Sequence, residues 1–408
     1  MFQSDHTTFY NANEKFEMVM AICIGVGVCF TRLATAASQT ALVLATILGI
    51  YLWWKNGKKL ELNENAATYI KVAYIFFFST LISIIDVDNK SAVFHSFLDT
   101  WIWRFMVFIL IVAFIKKKDY LLKILSGFFC IFSIDCFTAA YQFFILRWPR
   151  GRGFHGDYLD LTAIICMVLA MSAIIVLDRR FDGNIRKFAA LGLLSSIVGL
   201  FGCFGRGAFL VSALVAPFYL YYYLRNSKKI AAVILVILCL LGGGILSSPK
   251  YVDRLSTTFN TTTNRSNVDR IWTWKSSIDM YLDHPVNGVG LNNWSWYYKH
   301  EGYKYAEEKQ NLPHAHSNYM QLLAETGTIG FLGFLLFYAF SLLIPFKRWI
   351  KEHNPCDLIL FTTFLACMVF FGVFQPTYRL SSVIRTMWFI LALMIQLRDV
   401  YTKSVNED

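Results

Sequence analysis

Twelve apolar runs of about the length that crosses a bilayer as a helix recur along this sequence of 408 residues. A hydrocarbon core about 30 Å thick needs roughly 17 to 25 residues per helical span. Hydrophobic residues make up 56% of the chain and charged residues 16%, unlike a soluble protein. We therefore predict an all-α polytopic membrane protein with about twelve transmembrane helices and one large periplasmic helical loop. The predicted spans are Phe16 to Ala34, Ser38 to Trp54, Ala67 to Ile85, Ser96 to Ile115, Tyr120 to Phe143, Tyr158 to Leu177, Phe188 to Phe204, Gly207 to Leu224, Ile230 to Ser247, Thr328 to Pro345, Asp357 to Phe374 and Val383 to Leu397.

Positive charge in the short connections predicts the orientation of the chain, because lysine and arginine are retained on the cytoplasmic side. Basic connections begin at Lys55, Lys116, Asp178, Arg225 and Lys347, and they alternate with less basic ones. With twelve spans, both termini are expected in the cytoplasm, and the remaining connections face the opposite side, which in the inner membrane of a bacterium would be the periplasm. The net charge of +11 is then mostly a topology signal, and no nucleic-acid partner is predicted.

One long polar connection divides the sequence into three parts. We expect an N-terminal transmembrane bundle over residues 1–247, a periplasmic loop with short helices over residues 248–318, and C-terminal spans with a short cytoplasmic tail over residues 319–408. Within the loop, Ile271, Trp274, Ile278 and Tyr281 keep helical spacing. Ser266 or Asn267 is expected to cap that helix, which places Arg270 in its first turn.

Several arginines fall on the outer side, where the topology rule disfavours them. A guanidinium group grips phosphate oxygens in a bidentate manner, so an anionic ligand is one explanation for the set. Contact with lipid headgroups, or pairing with Asp157 and Asp269, is the other. The set as a whole favours phosphate. These arginines are Arg147, Arg150, Arg152, Arg206, Arg254, Arg265 and Arg270.

Titratable and aromatic groups outside the arginine set have more than one reading. Asp135 lies within the fifth span, where a carboxylate is either functional or paired with another helix. The histidines of "HAHS" lack the further ligands that a metal site needs, so no metal or other cofactor is predicted. Two roles suit the aromatic residues Trp294, Trp296, Tyr297 and Tyr298, which are anchoring at the bilayer interface and stacking on sugar rings. Their composition favours the interface.

Three motifs in order resemble the O-antigen ligase and O-antigen polymerase superfamily of bacterial membrane glycosyltransferases. They are "GRGAFL", then "DRIWTWKSSIDMYLDHPVNGVGLNNW", then "HAHSNYMQLLAETGTIGFLGF", and the resemblance covers residues 201–337 in detail. It implies a C-type glycosyltransferase fold that takes a glycan from undecaprenyl diphosphate at the periplasmic face. A ligase passes the glycan to the lipid A core, and a polymerase passes it to another lipid-linked glycan. Membrane lipids are further partners.

The resemblance assigns roles to individual residues. Arg206, Arg270 and His316 match the family positions and are the predicted catalytic residues. Arginines suit the charge that develops on a leaving diphosphate, and histidine suits the proton of the attacking hydroxyl. This sequence departs from the family in its extra histidine and in lacking a Pro-Asn pair after the outer arginine near residue 150. The predicted substrate-binding residues are Arg150, Arg152, Arg265, His314, Asn318 and Glu325.

Twelve spans with cytoplasmic termini also describe a transporter or a flippase for lipid-linked glycans. A transporter of this kind usually shows similarity between its halves and a site near the midplane. The halves of this sequence show none that is convincing, and its charged groups collect at one membrane face. The enzyme is therefore the favoured hypothesis, with a ligase ahead of a polymerase.

Overall fold

The computed structural model describes residues 4–226, 249–257, 260–308 and 310–403, and in these ranges the regular structure is entirely helical. Fifteen α-helices are described, some continued by short 3₁₀ or π turns. They are α1 Ser4–Cys29, α2 Thr35–Lys55, α3 Glu64–Leu81, α4 Lys90–Phe97, α5 Arg104–Phe114, α6 Lys118–Phe144, α7 Tyr158–Leu177, α8 Gly183–Cys203, α9 Arg206–Asn226, α10 Pro249–Ser256, α11 Arg265–Asp283, α12 Trp294–His300, α13 Asn318–Glu352, α14 Pro355–Phe364 and α15 Ser381–Lys403.

Eight helical segments in the described ranges are long and apolar enough to cross a membrane, which confirms a multi-pass membrane protein. Helix α9 adds a shorter apolar stretch over Arg206–Tyr221. Helices α1 and α15 cover the first and twelfth predicted spans but are not among the eight. The ninth predicted span, residues 230–247, lies outside the described residues, so the predicted total of twelve stays a prediction.

Small residues let helices α6, α7 and α8 approach each other closely. Gly192, Gly199 and Gly202 lie along one face of α8, which packs between α6 and α7. A β-carbon at Gly199 would lie 2.8 Å from Cys136 Sγ, and one at Gly202 would lie 2.7 Å from Ala140 Cα. Spacing of this kind brings membrane helices into backbone contact. The close contact of Gly199 and Gly202 with α6 fixes the end of α8 against the end of α6. The start of α9 is therefore fixed there as well.

Helix α11 forms a layer beyond the spans, and its buried face differs from the predicted one. Met280 is fully buried on this face together with three small hydroxyl residues, Thr273, Ser276 and Ser277. Ile278, which the apolar spacing selects, is 41% exposed. The predicted cap was wrong as well, because the helix begins at Arg265 after Asn264. This face packs on α13 and its neighbours, where the Thr273 hydroxyl donates to the Ala315 carbonyl at 3.3 Å and the Ser277 hydroxyl accepts from the Trp294 indole at 2.9 Å.

Two glycines join this layer to the membrane helices. Gly327 has φ +59° and kinks α13 at the point where the tenth span is predicted to begin. Gly288 has φ +71°, and a β-carbon on it would lie 2.4 Å from the Glu325 carbonyl carbon. The Val289 amide donates to the Ala324 carbonyl at 2.9 Å across this contact. The motifs "NGVG" and "AETG" therefore meet as two closely apposed backbone segments.

Candidate functional site

Three long helices begin around one open cleft. They are α7, α9 and α11, whose first residues are Tyr158, Arg206 and Arg265. The amino-terminal end of a helix carries unpaired amide groups and partial positive charge, so each of these ends favours an anion. The cleft is lined by Arg150, Tyr158, Arg206, Asn267, Arg270 and Phe374, among others.

Arg206 reaches the cleft because the chain reverses in a single tight turn. Helix α8 ends at Cys203, Phe204 adopts the left-handed conformation with φ +52°, and α9 starts two residues later. The Arg206 guanidinium donates to the Thr257 carbonyl oxygen at 2.7 Å and lies 3.3 Å from the Asn264 side-chain oxygen. All of these acceptors are neutral, so they hold the group in place without neutralising its charge.

Arg270 faces the same cleft from the second turn of α11, one turn later than predicted, because the helix begins at Arg265. Its Nη1 group donates to the Ser266 side chain at 2.9 Å and to the Ser266 carbonyl at 3.1 Å. Its buried Nε group has no hydrogen-bond partner among the described residues. Burial lowers the pKa of Arg270 from its usual value, and the charge of Arg206 lowers it further.

Arg150 comes from the loop between α6 and α7, and two buried side chains of α6 hold this loop in place. The Gln142 amide oxygen accepts from the backbone amides of Arg152 and Gly153 at 2.8 and 3.0 Å. Asp135 accepts from the Phe154 amide at 2.8 Å and pairs with Arg32 at 2.7 Å. Asp135 is thus paired, and the clamped loop places the Arg150 guanidinium 4.3 Å from the centre of the Tyr158 ring.

The three cleft arginines share one electrostatic property. In the described ranges, no carboxylate lies within 4 Å of the guanidinium nitrogens of Arg150, Arg206 or Arg270. Pairing with Asp157 or Asp269, the plainer explanation of these arginines, is therefore not seen. Three cations in one cleft repel one another, so the cleft is suited to a multiply charged anion.

His316 lies directly before α13 and is close enough to Arg270 for the guanidinium charge to affect its ionisation. Its backbone has φ +53°, a left-handed conformation that costs energy in a residue other than glycine. The Nδ1 atom is 3.0 Å from the Gln375 side-chain oxygen. Burial and the neighbouring Arg270 charge lower the pKa of His316 to about 4. The ring is therefore neutral at physiological pH and able to accept a proton.

His314 contacts His316 but differs from it in chemistry. The two ring centres are 4.2 Å apart, and the His316 amide donates to His314 Nδ1 at 3.2 Å. Burial and the neighbouring His316 lower the pKa of His314 to about 2. This ring is a poor proton acceptor, and its visible contact supports the backbone of His316.

Neither histidine is among the residues that line the cleft, and four other predicted site residues do not line it either. Arg152 and Arg265 have exposed side chains, on the outer loop and at the start of α11. Asn318 is fully buried and bonds Tyr338, Met368 and Thr377. Glu325 is also fully buried, where it accepts hydrogen bonds from Gln321 and the Tyr378 hydroxyl. The last two side chains tie the start of α13 to the segment after α14.

Sequence reasoning missed three residues of the site. Gln375 contacts the His316 ring, Asn267 lies near Arg206, and Tyr158 packs under Arg150. A signal for Gln375 was available, because "QPTYR" interrupts an apolar run at the predicted outer face. The sequence pattern predicts Asn267 only as a possible helix cap. The aromatic residues Trp294 and Tyr298, in contrast, are fully buried and stack on each other at 4.7 Å, so their rings form a small core.

Residues 189–335 match a protein family described as O-antigen ligase. The match starts within α8 and ends within α13, so it covers Arg206, Arg270 and His316 but not Arg150 or Gln375. No curated protein matches the chain.

Proposed function

Because the chain carries a domain of the O-antigen ligase superfamily over residues 189–335, we propose that it is a ligase that transfers a glycan from undecaprenyl diphosphate to a lipid A core acceptor. The observation that carries this proposal is the cleft itself. Three helix amino-termini converge at the cleft with three arginines that have no carboxylate partner among the described residues, and one of these, Arg270, acts electrostatically on a neutral histidine, His316. A diphosphate leaving group needs that charge, and an attacking hydroxyl needs that base.

The proposed reaction is a single displacement at the anomeric carbon. The acceptor hydroxyl oxygen forms the new glycosidic bond, and the bond between the anomeric carbon and the diphosphate oxygen breaks. The hydroxyl proton passes to His316, and the negative charge released on the diphosphate is held by Arg206 and Arg270, with Arg150 as a further contact. Because the diphosphate is a good leaving group, no strong acid and no metal ion take part in this scheme.

We place the cleft on the periplasmic side of the inner membrane, with twelve spans and both termini in the cytoplasm. The basic connections listed above support that orientation. Residues 248–318 then form the outer layer that closes over the donor. In a cysteine-free background, an impermeant thiol reagent should label Lys299→Cys, an exposed site on α12, from outside the cell and should miss Asn226→Cys. The reverse labelling would place the cleft in the cytoplasm and refute this scheme.

Transfer by the purified protein tests the base. His316→Ala should lose turnover by roughly 10²-fold or more while it keeps the wild-type melting temperature. His314→Ala should lose less, because that ring touches the backbone of His316 and is the weaker base. Near-normal turnover in His316→Ala would show that another group takes the proton.

Ligase and polymerase share the donor and the cleft, so the acceptor is tested in cells. Deletion of the gene in a strain that makes ladder-forming lipopolysaccharide should abolish the whole ladder and leave polymer on the lipid carrier. A single-repeat band would instead identify a polymerase. An unchanged ladder and no accumulated lipid-linked glycan would favour the transporter class.

A further inference from the structure

The segment between α14 and α15 leaves helical geometry directly beside the histidine. Two short 3₁₀ turns, Phe371–Val373 and Thr377–Arg379, flank Gln375 and Pro376. The Gln375 amide donates to the Phe371 carbonyl at 3.1 Å, and its own carbonyl accepts from the Thr377 amide at 2.8 Å. Gln375 is 4% exposed, so both its backbone and its side chain are fixed from within the protein.

The same segment is bonded to the start of α13, which carries the histidine. Asn318 donates to Thr377 Oγ1 at 2.9 Å, and a β-carbon on Gly372 would lie 2.3 Å from the Asn318 amide nitrogen. Arg104 donates to the carbonyl oxygens of Tyr378 and Arg379 at 3.0 and 2.7 Å. The positions of Gln375 and His316 are therefore coupled through buried bonds, although the two residues are 59 positions apart in the sequence.

The hydrogen bond between them selects one form of the ring. The Gln375 side-chain oxygen, which can only accept, lies 3.0 Å from Nδ1, so this contact favours the tautomer with the proton on Nδ1 and the lone pair on Nε2. The backbone of His316 is held by its left-handed conformation and by the contact of its amide with His314. The charged and titratable groups that act on the ring are Arg270 and Asp157, with the neutral His314 packed against it.

We propose that Gln375 is a positioning residue that holds His316 in the Nδ1–H tautomer, so that Nε2 is the atom that receives the acceptor proton. This inference rests on the proposed function of His316 as the base. An amide orients the ring without adding negative charge, whereas a carboxylate in its place would weaken the positive potential that the diphosphate needs. The base then stays neutral before the anionic donor arrives, because the described group at Nδ1 is a neutral oxygen and because burial and Arg270 outweigh the opposing charge of Asp157.

Two variants of Gln375 separate tautomer control from packing. Gln375→Met removes the acceptor but keeps an unbranched side chain of similar length, and it should lower kcat by roughly 10- to 10²-fold with KM within about two-fold. Gln375→Glu restores an acceptor but adds a negative charge. It should shift the pH dependence of kcat to higher pH and raise KM for the undecaprenyl-diphosphate-linked glycan. Gln310→Met, at an exposed position of the outer loop, is the matched control and should leave kcat, KM and the pH profile unchanged.

A spectroscopic measurement tests the tautomer without any turnover. The chain has eight histidines, and the His316→Ala variant assigns the ¹⁵N signals of His316 in the detergent-solubilised protein. The wild-type signals should show a protonated Nδ1 and an unprotonated Nε2, and Gln375→Met should shift the population toward the other tautomer. A protonated Nε2 in the wild type, or Gln375→Met with unchanged kcat and unchanged signals, would overturn the inference.

The two hypotheses fail differently. If His316→Ala keeps turnover, the proposed base is wrong, while the ¹⁵N signals still report whether Gln375 sets the tautomer. If His316→Ala is inactive and Gln375→Met behaves as wild type, only the role of Gln375 is wrong. Should Gln375→Met lower the melting temperature, Gln375→Glu still decides the matter through the direction of its pH shift.

Discussion

The cleft arginines and two buried arginines elsewhere in the bundle differ in whether a carboxylate pairs with the guanidinium group. Arg398, near the far end of α15, donates from Nε to both oxygens of Asp357 at 3.1 and 3.0 Å and also contacts Glu352. Arg32 pairs with Asp135 at 2.7 Å. Arg206 and Arg270 bond only neutral oxygens among the described residues.

The difference separates arginines that stabilise the fold from arginines whose charge is available to bind an anionic ligand. A buried ion pair is neutral as a unit, and loss of one partner leaves a buried charge at a cost of about 3–5 kcal/mol. A group of cations without counter-ions contributes little to folding and repels itself until an anion binds. Arg385 is intermediate, because it bonds the neutral Gln39 and has Asp99 and Arg104 as charged neighbours.

The largest effect is expected from the cleft arginines, on activity rather than on stability. Arg206→Ala and Arg270→Ala should each lower turnover by roughly 10²- to 10³-fold, because each removes a fixed donor from the leaving diphosphate. Their melting temperatures should equal or exceed the wild-type value at low salt. Arg270→Lys should keep part of the donor binding but lose much of the rate, since lysine lacks the bidentate fork.

Donor binding without an acceptor completes this test. Undecaprenyl diphosphate should raise the melting temperature of the wild type and of His316→Ala, but not that of the Arg206→Ala, Arg270→Ala double variant. Arg265→Ala, exposed at the start of the same helix, is the comparison variant and should keep the stabilisation. Equal stabilisation of the double variant would remove both arginines from the site.

The second effect is expected at Arg32, on stability rather than on binding. Arg32→Ala leaves the carboxylate of Asp135 buried at 4% exposure, and the variant should be less stable by about 3–5 kcal/mol. Arg152→Ala, on an exposed side chain of the adjacent loop, should be close to neutral. Denaturation in detergent micelles measures both. If Arg32→Ala unfolds no more readily than Arg270→Ala, the distinction between stabilising arginines and cleft arginines is wrong.

A pH titration sharpens the comparison at the histidine. Because burial and Arg270 lower the pKa of His316 to about 4, its ring should stay neutral in the free protein as the pH falls toward that value. The unfolded chain takes up this proton near pH 6.5, so the shift costs stability as the pH falls from about 6.5 to about 4. Bound pyrophosphate offsets the positive charge of Arg270 and should raise the pKa of His316. The ¹⁵N signals of His316, recorded with and without pyrophosphate, measure the change, and Arg270→Ala should raise the pKa without pyrophosphate.

The smallest effect concerns a buried carboxyl beyond the cleft. Burial, with a contribution from Asp269, raises the pKa of Glu308 to about 7, and neither of its oxygens has a hydrogen-bond partner in the described part of the chain. The folded state therefore holds a proton that the unfolded chain releases above about pH 4.5, and stability falls as the pH rises to about 7. Glu308→Gln should raise the melting temperature at pH 8 more than at pH 5. The exposed neighbour gives the control, Glu307→Gln, which should show no such pH dependence.

The amino-acid sequence by itself determined the membrane class and much of the candidate site. Hydropathy and basic connections are sums over local residues, so long apolar helices such as α7 are visible without a fold. Arg206 and Arg270 stood out because positive charge is disfavoured where the topology places them. The "HAHS" histidines were identified through the resemblance of their motif to the O-antigen ligase and polymerase superfamily. The count of twelve spans and the outer position of the cleft stay predictions.

Only the tertiary structure decided which groups meet. Gln375 lies 59 residues from His316, and no local pattern reports a contact over that separation. Asn318 and Glu325 lie beside the histidine in sequence but point into the helix packing, because α13 turns successive side chains to different faces. The buried face of α11 is set by tertiary partners such as Ala315 and Trp294 rather than by its own apolar spacing. Local composition decides where a helix forms, whereas packing against distant partners decides which of its side chains reach the cleft.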